Sequence, residues 1–182
     1  ISLNTEYSLL NTCDLLFMGG AQDAQQEIVN HDLLVAKGRT LASMIEKEIP
    51  GLYVCGAYQF LGKYYRTRDN KKLSGLGVFP LYTENPGETA KRLIGNVLIE
   101  PKTEALTQLL VGFENHGGRT YLEDKSMAFG SVLSGFGNNG VDKTEGIVYK
   151  NSFGTYLHGP ILPKNPQLAD LILTLALEKS TE

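Results

Sequence analysis

The sequence predicts one α/β domain built on a parallel sheet with crossover helices, and three observations predict it. Two short apolar runs, Asp14–Met18 and Leu52–Val54, each stop at small residues, as buried strands do when they end in tight turns. Helical patterning lies between them, and the order strand, helix, strand calls for a parallel sheet. The chain also closes on an amphipathic helix with Asn165 in the cap position and Pro166 first inside. At 182 residues it is long enough for one such domain, spanning 1–182, with a real core.

Taken in order, Asp14–Met18 is the first strand, stopped by Gly19-Gly20. Gln22–Lys37 and Thr40–Glu48 read as helical, parted by Gly38, with Leu41, Ile45 and Ile49 forming a modest stripe before Pro50-Gly51. Leu52–Val54 is the second strand, followed at once by Cys55-Gly56-Ala57 and a short helix to Leu61. From Tyr64 to Thr120 the texture turns β-like at Leu76–Tyr82, Arg92–Ile99 and Leu109–Phe113, predicting an extension of the sheet or an antiparallel layer. Gly130–Gly140 holds four glycines and two asparagines and is expected to be a loop. Gly146–Tyr149 and Phe153–Leu157 are further short strands. Leu168, Leu171, Ile172 and Leu175 make one face of the last helix.

Composition narrows the function classes. A net charge of −3 gives no electrostatic reason to expect a nucleic-acid partner. No apolar run approaches the ~20 residues that span a bilayer, and the opening Ile1–Asn4 has neither the basic region nor the apolar core of a secretion signal. Two cysteines make no disulfide framework, so a reducing cytoplasm is expected. The missing initiator Met reads as processing, trimming or an absent upstream segment.

Cys55 carries the strongest chemical signal. It stands where a strand meets a helix, flanked by the small residues that a strained, exposed nucleophile turn permits. A helix N-terminus favours its thiolate, and the Gly56 amide is placed to meet an oxyanion. The plainer reading is a buried cysteine closing a strand. Two histidines, His116 and His158, follow strand-like runs and are flanked by glycine, while His31 falls in a helical region. Either of the first two suits the carboxyl edge of a parallel sheet, where ligands bind, or a structural hydrogen-bonding role. Gly19-Gly20-Ala21 offers backbone amides at that edge, as an oxyanion donor or as a plain turn. No paired ligand spacing supports a metal, and no phosphate-binding loop of the Walker type is present.

Four ordered segments carry a resemblance: Phe17–Asp23, Gly51–Gly62, Gly112–Thr120 and Gly154–Pro160. Together they resemble the class I glutamine amidotransferases of the cobyric-acid-synthase type, and among these the glutaminase subunits of lipid II isoglutaminyl synthase. The resemblance implies a three-layer flavodoxin-like sheet with helices on both faces, here without the first strand–helix unit of the family. It implies Cys55 as nucleophile, His158 as its base, and the amides of Gly20 and Gly56 as oxyanion donors. Gln59 matches a residue that helps hold the substrate glutamine. Arg92 is the positional match for a glutamine-binding arginine, with Arg119 as competitor. The implied substrate is L-glutamine, with no cofactor and no metal. The implied partner is a Mur-ligase-like synthetase subunit that amidates D-glutamate of the lipid II peptidoglycan precursor. One departure stands out. The glutamate that ordinary class I members place two residues after the catalytic histidine is Pro160 here. The competing expectations are an amidotransferase of the cobyrinate type and a non-catalytic binding module with the same fold.

Overall fold

The computed structural model describes residues 10, 12–20 and 37–180. Strands β1 (Leu16–Met18), β2 (Gly51–Val54) and β12 (Ser152–Thr155) run parallel, and β11 (Ile147–Tyr149) closes this sheet antiparallel to β12. The strand order is β1-β2-β12-β11. Every residue of β2 and β12 is buried, which is why both segments read as continuous apolar or small runs and not as alternating ones.

Four α-helices accompany the strands among the described residues: α1 (Gly38–Glu46), α2 (Gly56–Phe60), α3 (Ile161–Lys164) and α4 (Pro166–Ser180). The two faces of β2 feed two cores. Tyr53 belongs to the core that holds Leu41, Met44 and Ile45 of α1, whereas Leu52 and Val54 belong to the one that holds Leu168 and Ile172 of α4. Each such apolar side chain contributes about 1.5–3 kcal/mol when fully buried. Helices thus cover both faces of the parallel sheet, the three-layer α/β class expected from the sequence. Helix α1 begins at Gly38, earlier than expected, and stops at Glu46 because Glu48 takes a φ of 66° that no helix continues. The helical segment expected from Gln22, and His31 within it, lie outside the described residues.

The middle of the chain adds two more four-stranded sheets. One joins β3 (Tyr64–Arg66), β4 (Lys72–Ser74), β5 (Leu81–Glu84) and β8 (Arg119–Leu122) in the order β4-β3-β5-β8. The other joins β6 (Leu93–Pro101), β7 (Leu110–His116), β9 (Gly130–Ser134) and β10 (Thr144–Glu145) in the order β10-β9-β6-β7. Apart from the parallel pair β3 and β5, all their pairings are antiparallel.

Three local expectations are corrected. Of Leu76–Tyr82 only the last two residues enter β5. Leu76, Gly77 and Phe79 donate instead to the carbonyls of Phe60, Gly62 and Leu61, so this stretch pairs with the exit of α2. The supposed loop Gly130–Gly140 begins with β9, paired on both sides. Gly130 serves close approach there and not a turn, because a Cβ on it would lie 2.8 Å from the Glu100 carbonyl oxygen. Asn165 stands in the predicted cap position, but its backbone oxygen accepts from Leu168 N–H while its side chain is used elsewhere. The amide brackets β7, accepting from Val111 N–H and donating to Val111 O, both at 2.8 Å, and donates again to Ile161 O at 2.7 Å.

Candidate active site

At the end of β2 the backbone makes its sharpest turn. Cys55 has φ 54° and ψ −110°, a region that non-glycine residues enter at a cost of order 1–3 kcal/mol. Its N–H still donates to Thr155 O at 2.9 Å, extending the ladder with β12, while its carbonyl already accepts from Gln59 N–H and opens α2. The strand thus stops and the helix starts on this one residue, which leaves the half-buried sulfur at the carboxyl edge of the sheet. Gly56 and Ala57 supply the small flanks the turn needs. The chain leaving β1 comes up against the same residue. A Cβ on Gly20 would lie 3.0 Å from Cys55 Cβ and 3.6 Å from its Sγ.

His158 reaches this edge from the neighbouring strand. The register pairs Val54 with Thr155, and His158 follows three residues on. It is fastened sideways to β7, donating its N–H to Phe113 O at 2.7 Å and accepting from Phe113 N–H at 3.4 Å. Its ring Nδ1 lies 3.1 Å from the same Phe113 oxygen. A carbonyl oxygen only accepts, so Nδ1 carries the proton and Nε2 is left with the lone pair. Burial pushes the imidazole below its ordinary pKa, partly offset by the carbonyls of Tyr156 and Phe113. Cys55 and His158 therefore emerge from adjacent parallel strands at one edge.

A buried polar layer lies behind them. Gln59, one turn after Cys55 and 4% exposed, donates its amide to Tyr156 OH at 2.9 Å. The Tyr156 hydroxyl also meets Thr120 Oγ1 at 2.7 Å, and Thr120 in turn meets Thr83 at 2.7 Å. Burial first, and more weakly the charge of Cys55, raise the Tyr156 phenol above its ordinary pKa. His116 stacks on Tyr156 with ring centres 3.6 Å apart and planes 3° from parallel. Both its ring nitrogens are engaged, by Gly118 O and by Glu114, so of the two glycine-flanked histidines it is the buried and committed one. Glu145 accepts from Tyr156 N–H at 2.7 Å and from the Thr155 hydroxyl, and burial pushes its carboxyl up to about 8.

The two arginines differ in what they hold. Arg119 donates to three backbone carbonyls, of Gly117, Gly118 and Lys91, and so clamps the turn after β7. The exposed Arg92 donates through Nε and Nη2 to Asn115, its partner among the described residues, both at 2.9 Å, with its Nη1 side toward Gly117. Pro160 stands at the N-cap of α3. Among the described residues no group of three or more His, Cys, Asp or Glu could hold a metal ion, and no helix is long and apolar enough to cross a membrane.

Sequence reading missed Glu114, Glu145 and Tyr156. A signal for the first was present, since in β7 the residues Leu110, Gly112, Glu114 and His116 alternate inward, and an acid at an inward position needs a partner. Glu145 and Tyr156 gave no such sign, because their burial depends on sheets that meet only in three dimensions.

The chain belongs to the CobB/CobQ-like glutamine amidotransferase family, whose profile matches residues 2–166. Members of this class act on glutamine. The chain is 47% identical, over 96% of its length, to the lipid II isoglutaminyl synthase (glutamine-hydrolyzing) subunit GatD of Staphylococcus aureus (strain N315), covering 68% of that protein. It is 41% identical, over 98% of its length, to the subunit of the same name from Streptococcus pneumoniae (strain ATCC BAA-255 / R6), covering 66% of it. The chain thus spans about two thirds of the length of these relatives. A crystal structure of a glutamine amidotransferase shares the fold with a TM-score of 0.59 at 14% identity, over 90% of this chain and 79% of the other.

Proposed function

We propose that this chain hydrolyses L-glutamine to glutamate and ammonia through a Cys55 thioester. The observation that carries the reading is the pairing of β2 with β12, which brings a strained cysteine and a histidine whose Nε2 carries the lone pair to one sheet edge. His158 takes the Cys55 proton at Nε2, and the thiolate attacks the side-chain amide carbon of glutamine. The amides of Gly20 and Gly56 hold the tetrahedral oxyanion, each such donor worth roughly 3–4 kcal/mol. The tetrahedral intermediate collapses, its C–N bond breaks, and protonated His158 gives its proton to the departing ammonia. Water, deprotonated by His158, then cleaves the γ-glutamyl thioester and returns the thiol.

Other residues take supporting roles in this reading. The Phe113 carbonyl fixes the His158 tautomer, a task that the glutamate replaced by Pro160 performs in ordinary class I members. Arg92 holds the α-carboxylate of glutamine, since its guanidinium keeps a donor edge that Arg119 has spent on the turn. Gln59 helps hold the substrate glutamine and supports the elbow from beneath through its bond to Tyr156.

The acceptor reading follows the names of the relatives. Ammonia from this cytoplasmic subunit would pass, within a heterodimer, to a Mur-ligase-like synthetase subunit that uses ATP to activate D-glutamate of lipid II. The cobyrinate type is the second reading, favoured by the family to which the chain belongs. Ammonia release from glutamine, with and without a candidate synthetase, tests the first step. Cys55→Ala should abolish it while the melting temperature holds, and normal turnover in that variant would refute the nucleophile. Labelling of Cys55 by diazo-oxo-norleucine separates an enzyme from a mere scaffold. Amidation of lipid II, or of a corrin acceptor, separates the two acceptors.

A further inference from the structure

The alternation of β7 turns a carboxylate and an imidazole into the protein together, Glu114 and His116, with side chains 0% and 1% exposed. Glu114 Oε1 accepts from Phe136 N–H at 2.7 Å and Oε2 from Gly137 N–H at 3.0 Å. These are successive amides of a turn in which Gly135 and Gly137 hold φ of 102° and 66°. A Cβ on Gly135 would lie 2.7 Å from Oε1, so only glycine lets the turn close on this side chain. A nest of N–H groups favours the ionised carboxylate.

The protons on His116 can then be counted. Nδ1 lies 2.8 Å from Gly118 O, which only accepts, so Nδ1 carries a proton. Nε2 lies 3.3 Å from Glu114 Oε2, which as a carboxylate also only accepts, so Nε2 carries a second. A neutral imidazole has one N–H, and this ring faces two acceptors. The same ring lies flat on Tyr156, whose hydroxyl holds Gln59 of the elbow helix and whose backbone runs two residues ahead of His158.

We propose that Glu114 and His116 form a buried carboxylate–imidazolium pair that seats Tyr156 behind the Cys55 elbow. They act as positioning residues, and only their effect on turnover rests on the glutaminase reading. The groups around them fit the role. His158 feels the charge of His116, which opposes its protonation, ahead of the weaker opposite pull of Glu114. Glu145 lies close enough to Glu114 to be raised by it, after burial, while Arg119 faces Tyr156 and Arg92 lies near Arg119. Cys55 completes the set against Tyr156.

Nitrogen-15 NMR of the full chain with labelled histidine tests this, His116 being identified by difference with His31→Gln and His158→Gln. Both His116 ring nitrogens should be protonated at neutral pH, while His158 carries one proton. A bare nitrogen on His116 overturns the proposal. In Glu114→Gln the His116 ring should keep one ring proton instead of two, and ammonia release should fall as Tyr156 loses its seat. A His116 ring that keeps both protons in that variant would detach its charge from Glu114 and also overturn the proposal. A wild-type chain that releases no ammonia yet shows a doubly protonated His116 supports the pair and rejects only the glutaminase.

Discussion

A Cβ on Gly20 would sit 3.0 Å from Cys55 Cβ, closer than nearly all real side-chain carbons approach one another. The contact is relieved most cheaply by backing the chain after β1 away from the sulfur, since Gly20 is exposed at the end of its strand. Gly20→Ala should therefore leave the melting temperature within a degree or two while cutting ammonia release about tenfold or more, as loss of an oxyanion donor does. Unchanged release would remove Gly20 from the oxyanion site. Cys55 itself was legible in the sequence because its signal is local, small residues after an apolar run. Which of the two glycine-flanked histidines is buried with both ring nitrogens engaged was not, since His116 and His158 have the same surroundings in one dimension.

Among elements, the joint between β7 and the end of β12 holds the candidate base in place. Two adjacent outward backbone groups on β7 have non-ladder partners: Val111 is bracketed by the Asn165 amide and Phe113 by His158. The edge of one sheet is thus stitched to the strand end and helix start of another. Asn165→Ala would leave the Val111 amide and carbonyl without these partners and should cost about 2–3 kcal/mol. A lower urea midpoint with an unchanged slope would show it, and an unchanged midpoint would dismiss the stitch. The sequence suggested Asn165 as a helix cap, and the position was right. The use of its side chain was decided by a strand 54 residues away, beyond any local rule.

At the scale of the whole molecule, three sheets meet over a polar interior, and Glu145 records the consequence. Burial raises its carboxyl from 4.5 to about 8. A carboxyl whose folded pKa is raised takes up a proton on folding between those two values, so the stability it lends is full below pH 4.5 and is lost as pH climbs through about 8. Glu145→Gln has the shape of the protonated acid without its titration. The wild-type chain should lose stability from mildly acidic to mildly alkaline pH, and the variant should lose markedly less, as thermal melts across that range would read. Parallel curves for the two would show that Glu145 does not titrate there.

The sequence by itself determined the α/β class, the strand–elbow–helix at Cys55, the terminal helix and, through four ordered motifs, the family. Those features are written in short-range patterns of apolar spacing, small residues and capping chemistry. The tertiary structure alone decided that Leu76–Pro80 lines the exit of α2, that Gly130–Ser134 is a strand, that His116 is buried against Tyr156 while His158 follows the strand paired with the elbow strand, and that Glu114 and Glu145 lie buried. The reason is sheet register. Gln59 and Tyr156 touch across 97 residues, and a partner at such a distance is chosen by which strands pair and by what water they exclude.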